Sequence, residues 1–208
     1  MPERLEYESE AYQNGYQVII GLDEAGRGPM AGPLVVAGVI FREGYYNDEI
    51  NDSKQLSESK REKLYDIIIE NALAYDIEVI DIEEVDRLNV YQASKTGMLR
   101  IINRISLKPD FALTDAMPLD NSIEHLSIIK GDAKSLSIAS ASILAKVTRD
   151  RIMKEYDSIY PEYGFKKHKG YPTKEHKKAL KLYGVTDIHR RSFKPVIDVL
   201  NEQLFFDL

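Results

Sequence analysis

Residues 17–41 contain two apolar runs that only a short segment rich in glycine and proline separates. The runs QVIIGL (17–22) and PLVVAGVIF (33–41) are rich in β-branched residues, which is typical of strands. The segment between them has a turn-forming composition. This pattern predicts two adjacent strands. Asp23 and Glu24 follow the first run directly, although adjacent carboxylates repel each other and need a compensating interaction.

The rest of the chain alternates between strand-like and helix-like patterns. Apolar residues recur at helical spacing from Ser57 onward, and Ser59 with Glu62 forms a candidate capping box. Further strands are predicted over 76–82, 110–115 and 126–132, and further helices over 83–105, 135–156, 173–183 and 194–206. This alternation predicts an α/β fold, with one mixed sheet flanked by helices. Residues 1–208 are expected to form a single domain, helical and basic from about residue 166.

Composition excludes several classes of protein. The chain contains no cysteine, which excludes disulfides, thiol nucleophiles and thiolate zinc sites. Its four histidines are scattered along the sequence, and neither a P-loop nor a G-x-S-x-G elbow occurs. No apolar run is long enough to span a membrane, and the acidic start lacks the pattern of a signal peptide. We therefore expect a cytoplasmic protein that makes no use of a membrane.

Charge is distributed unevenly along the chain. The formal net charge is −6, which by itself argues against nucleic-acid binding. Residues 166–194, however, hold eight lysines and two arginines against Glu175 and Asp187, so this segment carries +8. Such a segment indicates a surface for a polyanion, and Tyr171 and Phe193 within it could stack on bases or sugars. Charge alone fits a lysine-rich helix exposed to solvent equally well.

Four acidic residues follow or end predicted strands. Asp23 and Glu24 terminate or interrupt the first strand, Asp115 ends the strand 110–115, and Asp132 ends the strand 126–132. Ligand sites of α/β sheets collect at strand ends, which makes these acids candidate metal ligands. The alternative is that they form turns or cap helices, above all in the case of Asp132.

Converging carboxylates are suited to hard divalent cations such as Mg²⁺. Two such ions, roughly 3.5–4 Å apart, can activate a water and stabilise the leaving oxygen of a phosphodiester. A bound cation would also relieve the repulsion between Asp23 and Glu24. Metal-assisted phosphodiester hydrolysis is therefore the chemistry that uses most of these features.

Five segments resemble the ribonuclease HII (type 2 ribonuclease H) family, in the order that the family has them. They are DEAGRGP (23–29), DSKQLS (52–57), KGDAKSLSIASASILAKVTRD (130–150), HKGYPTKEH (168–176) and HRRSF (189–193). The bacterial form is the most similar, although TDAMPL (114–119) departs from the Asp-Gly that is commoner in the family. Gly26-Arg27-Gly28 together with Tyr171 argues against the related ribonuclease HIII.

The resemblance implies a ribonuclease H-like fold with a C-terminal helical region, and a catalytic, metal-binding tetrad of Asp23, Glu24, Asp115 and Asp132. Asp150 is an alternative fourth acid, but its place inside a predicted helix favours a surface ion pair. The family hydrolyses the RNA strand of RNA–DNA hybrids endonucleolytically. It also cuts at single ribonucleotides embedded in duplex DNA. It leaves 5′-phosphate ends and uses Mg²⁺ or Mn²⁺, with two ions expected in the substrate complex.

The resemblance also implies substrate contacts. Gly26, Arg27 and Gly28 form a ribose-reading loop, since backbone groups reach a 2′-hydroxyl most easily where no Cβ intervenes. An ordinary tight turn would be satisfied by the same residues. Tyr171 stacks on the sugar that follows the ribonucleotide, with Pro172 replacing the usual glycine after it. Ser53, Lys54 and Lys146 are candidate phosphate contacts, and the alternative for each is an ordinary polar residue.

The expected partners are RNA–DNA hybrids and duplex DNA that contains ribonucleotides, bound by a monomer. Residues 203–206, Gln-Leu-Phe-Phe, loosely resemble peptides that dock into sliding clamps, and the alternative is a helix end that packs on the domain. Two other functions remain open. A different metal nuclease on this fold would cleave an all-DNA duplex, whereas a non-catalytic binding module would show no metal-dependent turnover.

Overall fold

The computed structural model of the chain describes residues 3–206 and contains a five-stranded sheet. Its strands are β1 (Ile19–Ala25), β2 (Leu34–Ile40), β3 (Ala74–Ile80), β4 (Phe111–Asp115) and β5 (Glu124–Ile128). They lie in the order β3-β2-β1-β4-β5. β1 pairs antiparallel with β2 and parallel with β4, and β4 pairs parallel with β5. The predicted α/β class with one mixed sheet is confirmed.

Helices connect and follow these strands. They are α1 (Glu6–Gln13), α2 (Glu58–Asn71), α3 (Ile82–Arg104), α4 (Gly131–Lys134), α5 (Leu136–Ile159), α6 (Phe165–His168), α7 (Lys174–Tyr183) and α8 (Lys194–Phe206). The sequence patterns missed α1, α4 and α6, of which α4 and α6 are single turns. The capping prediction was wrong by two residues, because the Ser57 side chain, and not Ser59, accepts the Lys60 N–H at the start of α2.

The sheet approaches α5 very closely at Gly21. A Cβ placed on this glycine would lie 2.3 Å from the backbone carbon of Ser137 and 2.6 Å from the nitrogen of Ile138. Any side chain at position 21 would therefore have to displace the helix. The serine- and alanine-rich first half of α5 fits this arrangement, since its residues from Leu136 to Ala145 are all buried.

Internal contacts divide the chain into two compact units, and each is discontinuous in sequence. The first unit holds the chain up to Ala25, Val35–Val79 and Ser94–Val147, and so includes most of the sheet. The second unit holds Gly26–Leu34, Ile80–Ala93 and the chain from Thr148 onward. That 1–208 forms a single domain stays a prediction.

The second unit has apolar clusters of its own. One is formed by Ala31, Met153, Tyr163, Phe165, Ala179 and Ile188, and another by Met30, Leu180, Val196 and Val199. The glycine-rich segment 26–34 contributes Ala31 to the first cluster and Met30 to the second. Ala31 also forms an isolated antiparallel β-bridge with His189. Among residues 3–206, no helix is long and apolar enough to cross a membrane.

Candidate active site

Asp23, Asp115 and Asp132 form a cluster in the first unit. One carboxylate oxygen from each lies within 4.8 Å of the other two. Strand pairing explains two of the three positions: Leu22 on β1 pairs with Thr114 on the parallel strand β4, and the acids are the next residue of each strand. Parallel neighbours therefore deliver two carboxylates at the same level of the sheet.

Asp132 reaches the cluster by a turn that the sequence did not predict. It does not end a strand, since β5 stops at Ile128 and Asp132 lies in the first turn of α4. Lys130 adopts a left-handed conformation with φ 58°, and the Gly131 N–H donates to the Asp115 carboxylate at 2.8 Å. This hydrogen bond fixes α4 against the end of β4, and with it Asp132.

The cluster is strained electrostatically when no cation is bound. Burial raises the pKa of Asp23 well above its ordinary value, and the charges of Glu24 and Asp115 raise it further. Burial also raises the pKa of Asp115, and the charge of Asp132 adds to this. Three carboxylates this close, with no sulfur or imidazole ligand among them, fit a hard divalent cation bound through oxygen.

Glu24 is not a member of the three-acid cluster. It follows Asp23 on β1, and consecutive residues of a strand point to opposite faces of the sheet. Its carboxylate is nonetheless close enough to raise the pKa of Asp23, and its backbone N–H donates to the Asp23 carboxylate at 2.7 Å. That Glu24 is the fourth member of the catalytic tetrad stays a prediction.

Ser53 and Lys54 lie beside the acids. The Lys54 ammonium forms an ion pair with Asp132 at 2.8 Å while most of the lysine side chain remains exposed. Ser53 is buried, and its hydroxyl lies 2.9 Å from that of Ser142, which in turn hydrogen-bonds to Asp23. Ser142 thus supports the cluster, although nothing in the local sequence distinguishes it from the other serines of α5.

Lys146 and Asp150 follow on α5. Lys146 is half-buried, and its role as a phosphate contact stays a prediction. Asp150 is only 3% exposed, so the expectation that it lies on the helix surface was wrong. It is not among the acids that form the cluster, so the geometry favours Asp132 over it.

The predicted ribose-reading loop and Tyr171 meet in the second unit. Gly26 is buried with φ 108°, whereas Arg27 and Gly28 are exposed. A Cβ on Gly28 would lie 3.2 Å from Cε1 of Tyr171, so the tyrosine ring lies directly against this glycine. Tyr171 as a whole is 46% exposed, so it is accessible to a ligand.

The match to known proteins covers most of the chain. A family model described as Ribonuclease HII matches residues 20–196. The chain belongs to the ribonuclease HII family. A protein named Ribonuclease HII from Acholeplasma laidlawii (strain PG-8A) is 50% identical over 200 residues, which cover 96% of this chain and 98% of that protein.

Solved structures of this family share the fold. The crystal structure of the ribonuclease H2 from Pyrococcus horikoshii OT3 superposes with a TM-score of 0.79 at 27% identity, over 89% of this chain and 98% of that one. The RNase HII of the PCNA:RNase HII complex from Archaeoglobus fulgidus superposes with a TM-score of 0.72 at 27% identity, over 85% of this chain and 95% of that one. The ribonuclease H-like fold is confirmed. The chain is a ribonuclease H (EC 3.1.26.4), a divalent-metal-dependent nuclease of RNA–DNA hybrids.

The basic segment of this ribonuclease HII is less uniform than its sequence indicates. Lys174, Lys177, Lys178 and Lys181 share one exposed side of α7, opposite the buried His176, Ala179 and Leu180. Arg190, by contrast, is completely buried and adds nothing to the surface. Phe193 is half-buried: it packs against the Met30 cluster, and the Arg190 guanidinium lies over its ring. Stacking by Phe193 on a base or sugar stays a prediction.

Sequence reasoning missed the two buried arginines of the second unit. Arg190 donates from Nε to the Gly32 carbonyl at 2.9 Å, and Arg149 donates to three other carbonyls. Both arginines lie inside segments that resemble the family, VTRD and HRRSF, so the resemblance marked these positions as notable. It could not show that the side chains turn inward, because helix periodicity does not predict a buried cation.

Proposed function

We propose that this ribonuclease H incises duplex DNA at single embedded ribonucleotides as well as cutting continuous hybrids, and that it leaves 5′-phosphate ends. The observation that carries the proposal is the convergence of Asp23, Asp115 and Asp132. Such a cluster supports hydrolysis in which a water attacks the phosphorus, the bond between phosphorus and the 3′-oxygen breaks, and the phosphate stays on the 5′ end of the downstream fragment. A 5′-phosphate is the product of that chemistry.

The three clustered acids would hold Mg²⁺ or Mn²⁺, and two ions are proposed in the substrate complex. Bound there, a divalent ion supplies charge that stabilises the phosphodiester oxygens and lowers the pKa of a water. Glu24 would add a further oxygen ligand next to Asp23. Ser142 and the Glu24 N–H orient the Asp23 carboxylate, and Lys54 orients that of Asp132.

Recognition of the ribose is assigned to Arg27, Gly28 and Tyr171. The first two are exposed, so their backbone groups can hydrogen-bond with a 2′-hydroxyl. The adjacent ring of Tyr171 offers a flat apolar face for the deoxyribose that follows, where an extra hydroxyl would fit poorly. Exposed Lys54 and the lysines of α7 are the proposed phosphate contacts, with Lys146 as a further candidate.

Docking to a sliding clamp is proposed for the C-terminal tail. The structure from Archaeoglobus fulgidus is of an RNase HII in complex with PCNA, and its RNase HII resembles this chain. The clamp-like residues 203–206 end α8, and their side chains lie outside the described part of the structure. The protein itself is proposed to be a monomer.

One experiment tests the proposed activity directly. The protein is incubated with Mg²⁺ and a labelled DNA duplex that contains one ribonucleotide, and the cut and its 5′ end are mapped. We expect a single incision at the ribonucleotide whose product a ligase accepts. An all-DNA duplex is the control: cleavage of it would indicate another kind of metal nuclease, and binding without metal-dependent cleavage would indicate a binding module.

A further inference from the structure

Arg149 is a charged side chain with almost no exposure to solvent, and no role described so far uses it. It lies on α5 and is 1% exposed. Its Nε donates to the Pro33 carbonyl at 2.9 Å, while its terminal nitrogens donate to the carbonyls of Lys169 at 2.9 Å and Ala31 at 3.0 Å. Burying a cation costs several kcal/mol unless polar groups compensate the lost hydration. The three carbonyls provide this compensation.

These carbonyls belong to two separate segments of the second unit. Ala31 and Pro33 lie in the glycine-rich segment, and Lys169 lies two residues before Tyr171. The same two segments also meet where the Met30 N–H donates to the Gly170 carbonyl at 2.9 Å. One guanidinium therefore joins the segment that follows the predicted ribose-reading loop to the segment that carries Tyr171.

Gly26 of the loop makes room for this guanidinium. A Cβ on Gly26 would lie 2.4 Å from the Nε of Arg149, whereas one on Gly32 would mainly meet the Sδ of Met153, at 2.3 Å, with the Nη2 of Arg149 at 3.3 Å. Both glycines have positive φ angles, 108° and 86°, which other residues adopt at a cost. At Gly26, then, the missing side chain leaves space for Arg149, whereas at Gly28 it leaves space for the Tyr171 ring.

We propose that Arg149 is a positioning residue for ribose recognition, which holds the Arg27–Gly28 backbone and the Tyr171 ring at a fixed separation. The inference rests on the proposed function, since it assigns these two elements to one ribonucleotide and the sugar that follows it. A guanidinium suits this task because its donors lie in one rigid plane and reach several carbonyls at once. The ammonium of a lysine is a single point on a flexible stem and cannot reach the same three carbonyls.

The test compares two conservative substitutions on two substrates. Arg149→Lys keeps the charge and removes the planar donors, and Arg87→Lys at an exposed site in the same unit is the matched control. With Mg²⁺, we expect Arg149→Lys to lower kcat/KM by about tenfold or more on a duplex with one ribonucleotide, and by much less on a continuous hybrid. Arg87→Lys should leave both values unchanged.

Two further measurements separate positioning from general stability. Mn²⁺ affinity, measured by electron paramagnetic resonance, should be the same in Arg149→Lys and wild type, because the clustered acids are built on β1, β4 and α4. The selectivity is the kcat/KM on the duplex with one ribonucleotide divided by the kcat/KM on the continuous hybrid. If Arg149 acts through Tyr171, the double variant Arg149→Lys with Tyr171→Ala should have the same selectivity as Tyr171→Ala alone.

Several outcomes would overturn the inference. Equal losses on both substrates, additive effects in the double variant, or weakened Mn²⁺ binding would each show that Arg149 only supports the fold. If Arg149→Lys does not fold, Gly26→Ala replaces it, since the added methyl group would meet the guanidinium, and equal losses on both substrates would again refute positioning. Failure of the wild-type protein to cut at a single ribonucleotide would refute the proposed function itself, and is recognised without any variant.

Discussion

The Nε2 atoms of His176 and His189 lie 3.1 Å apart in the second unit. Their other contacts define the protons: Nδ1 of His189 accepts from the Thr186 N–H and hydroxyl, so its Nε2–H donates to Nε2 of His176. Nδ1–H of His176 then donates to the Tyr171 carbonyl at 2.9 Å. Both imidazoles are neutral in this chain of hydrogen bonds, which ends at the backbone of Tyr171.

This pair should make folding stability fall in mild acid. Burial lowers the pKa of His176 to about 3 and that of His189 to about 4. Below the ordinary histidine pKa of about 6.5, the unfolded chain takes up protons that the folded chain does not. The free energy of unfolding should therefore fall by about 1.4 kcal/mol per histidine for each pH unit, from about pH 6.5 down to the folded pKa values.

Urea unfolding at pH 6.5 and pH 5 measures this effect. The acidic residues titrate almost equally in wild type and in a His189→Gln variant, so the difference between the two proteins isolates the histidine contribution. We expect wild type to lose about 2 kcal/mol more than the variant over this interval. The same loss in both proteins would contradict the assignment.

Asp23→Asn should abolish most turnover and yet stabilise the metal-free protein. The substitution removes a charged ligand, so kcat should fall roughly a hundredfold or more. It also removes a buried charge that Glu24 and Asp115 repel, while the amide oxygen can still accept from Ser142 and the Glu24 N–H. In thermal melts, we expect a higher Tm without metal and a smaller shift on addition of Mn²⁺.

Hybrid binding by Asp23→Asn provides the control, and it should persist because the basic residues of α7 are unchanged. Near-normal turnover of this variant would eliminate the metal assignment. Asp115→Asn is expected to lose turnover in the same way.

Tyr171→Ala should impair cutting at a single embedded ribonucleotide more than cutting of a continuous hybrid, by about tenfold. Under the proposed function, only the duplex with one ribonucleotide requires the ring to contact the sugar at the junction. Tyr171→Phe should retain much of the activity if the ring face makes the contact. Tyr183→Ala, which removes another exposed tyrosine of this unit, should have little effect on either substrate.

Gly21→Ala should destabilise the sheet, because its Cβ would lie 2.3 Å from the Ser137 backbone and the helix would have to move. We expect a loss of about 1–3 kcal/mol, measured by urea unfolding. Gly44→Asn is the matched control: no atom lies within 4 Å of its added Cβ, and Asn tolerates φ 71°. Equal stability of the two variants would rule out the close approach of β1 and α5.

Removal of the residues after Asn201 should abolish retention of the protein on an immobilised sliding clamp. Cutting of ribonucleotide-containing duplexes in the absence of the clamp should be unaffected, which serves as the control. Equal retention of the full and shortened chains would show that the tail makes no such contact.

Local sequence determined the α/β class, the positions of most helices and strands, and the family. Strand and helix periodicity depend on neighbouring residues. The acids near the ends of β1 and β4 stand directly beside these periodic runs, so they too are found from local sequence. The motif DEAGRGP located Asp23 of the cluster, and it predicts roles for Glu24 and for Gly26-Arg27-Gly28, from seven consecutive residues. These features need no knowledge of distant contacts.

Only the tertiary structure decided which side chains meet. A turn at Lys130 and Gly131 carries Asp132 to the cluster, while the alternation of β1 keeps Glu24 out of it. Tertiary packing turned Arg190 inward, half-buried Phe193, and brought together His176 and His189, which no helix or strand pattern connects. It also placed Arg149 against the glycine loop. Burial and hydrogen bonding of these groups depend on segments that fold against them, and periodicity along the chain carries no information about such partners.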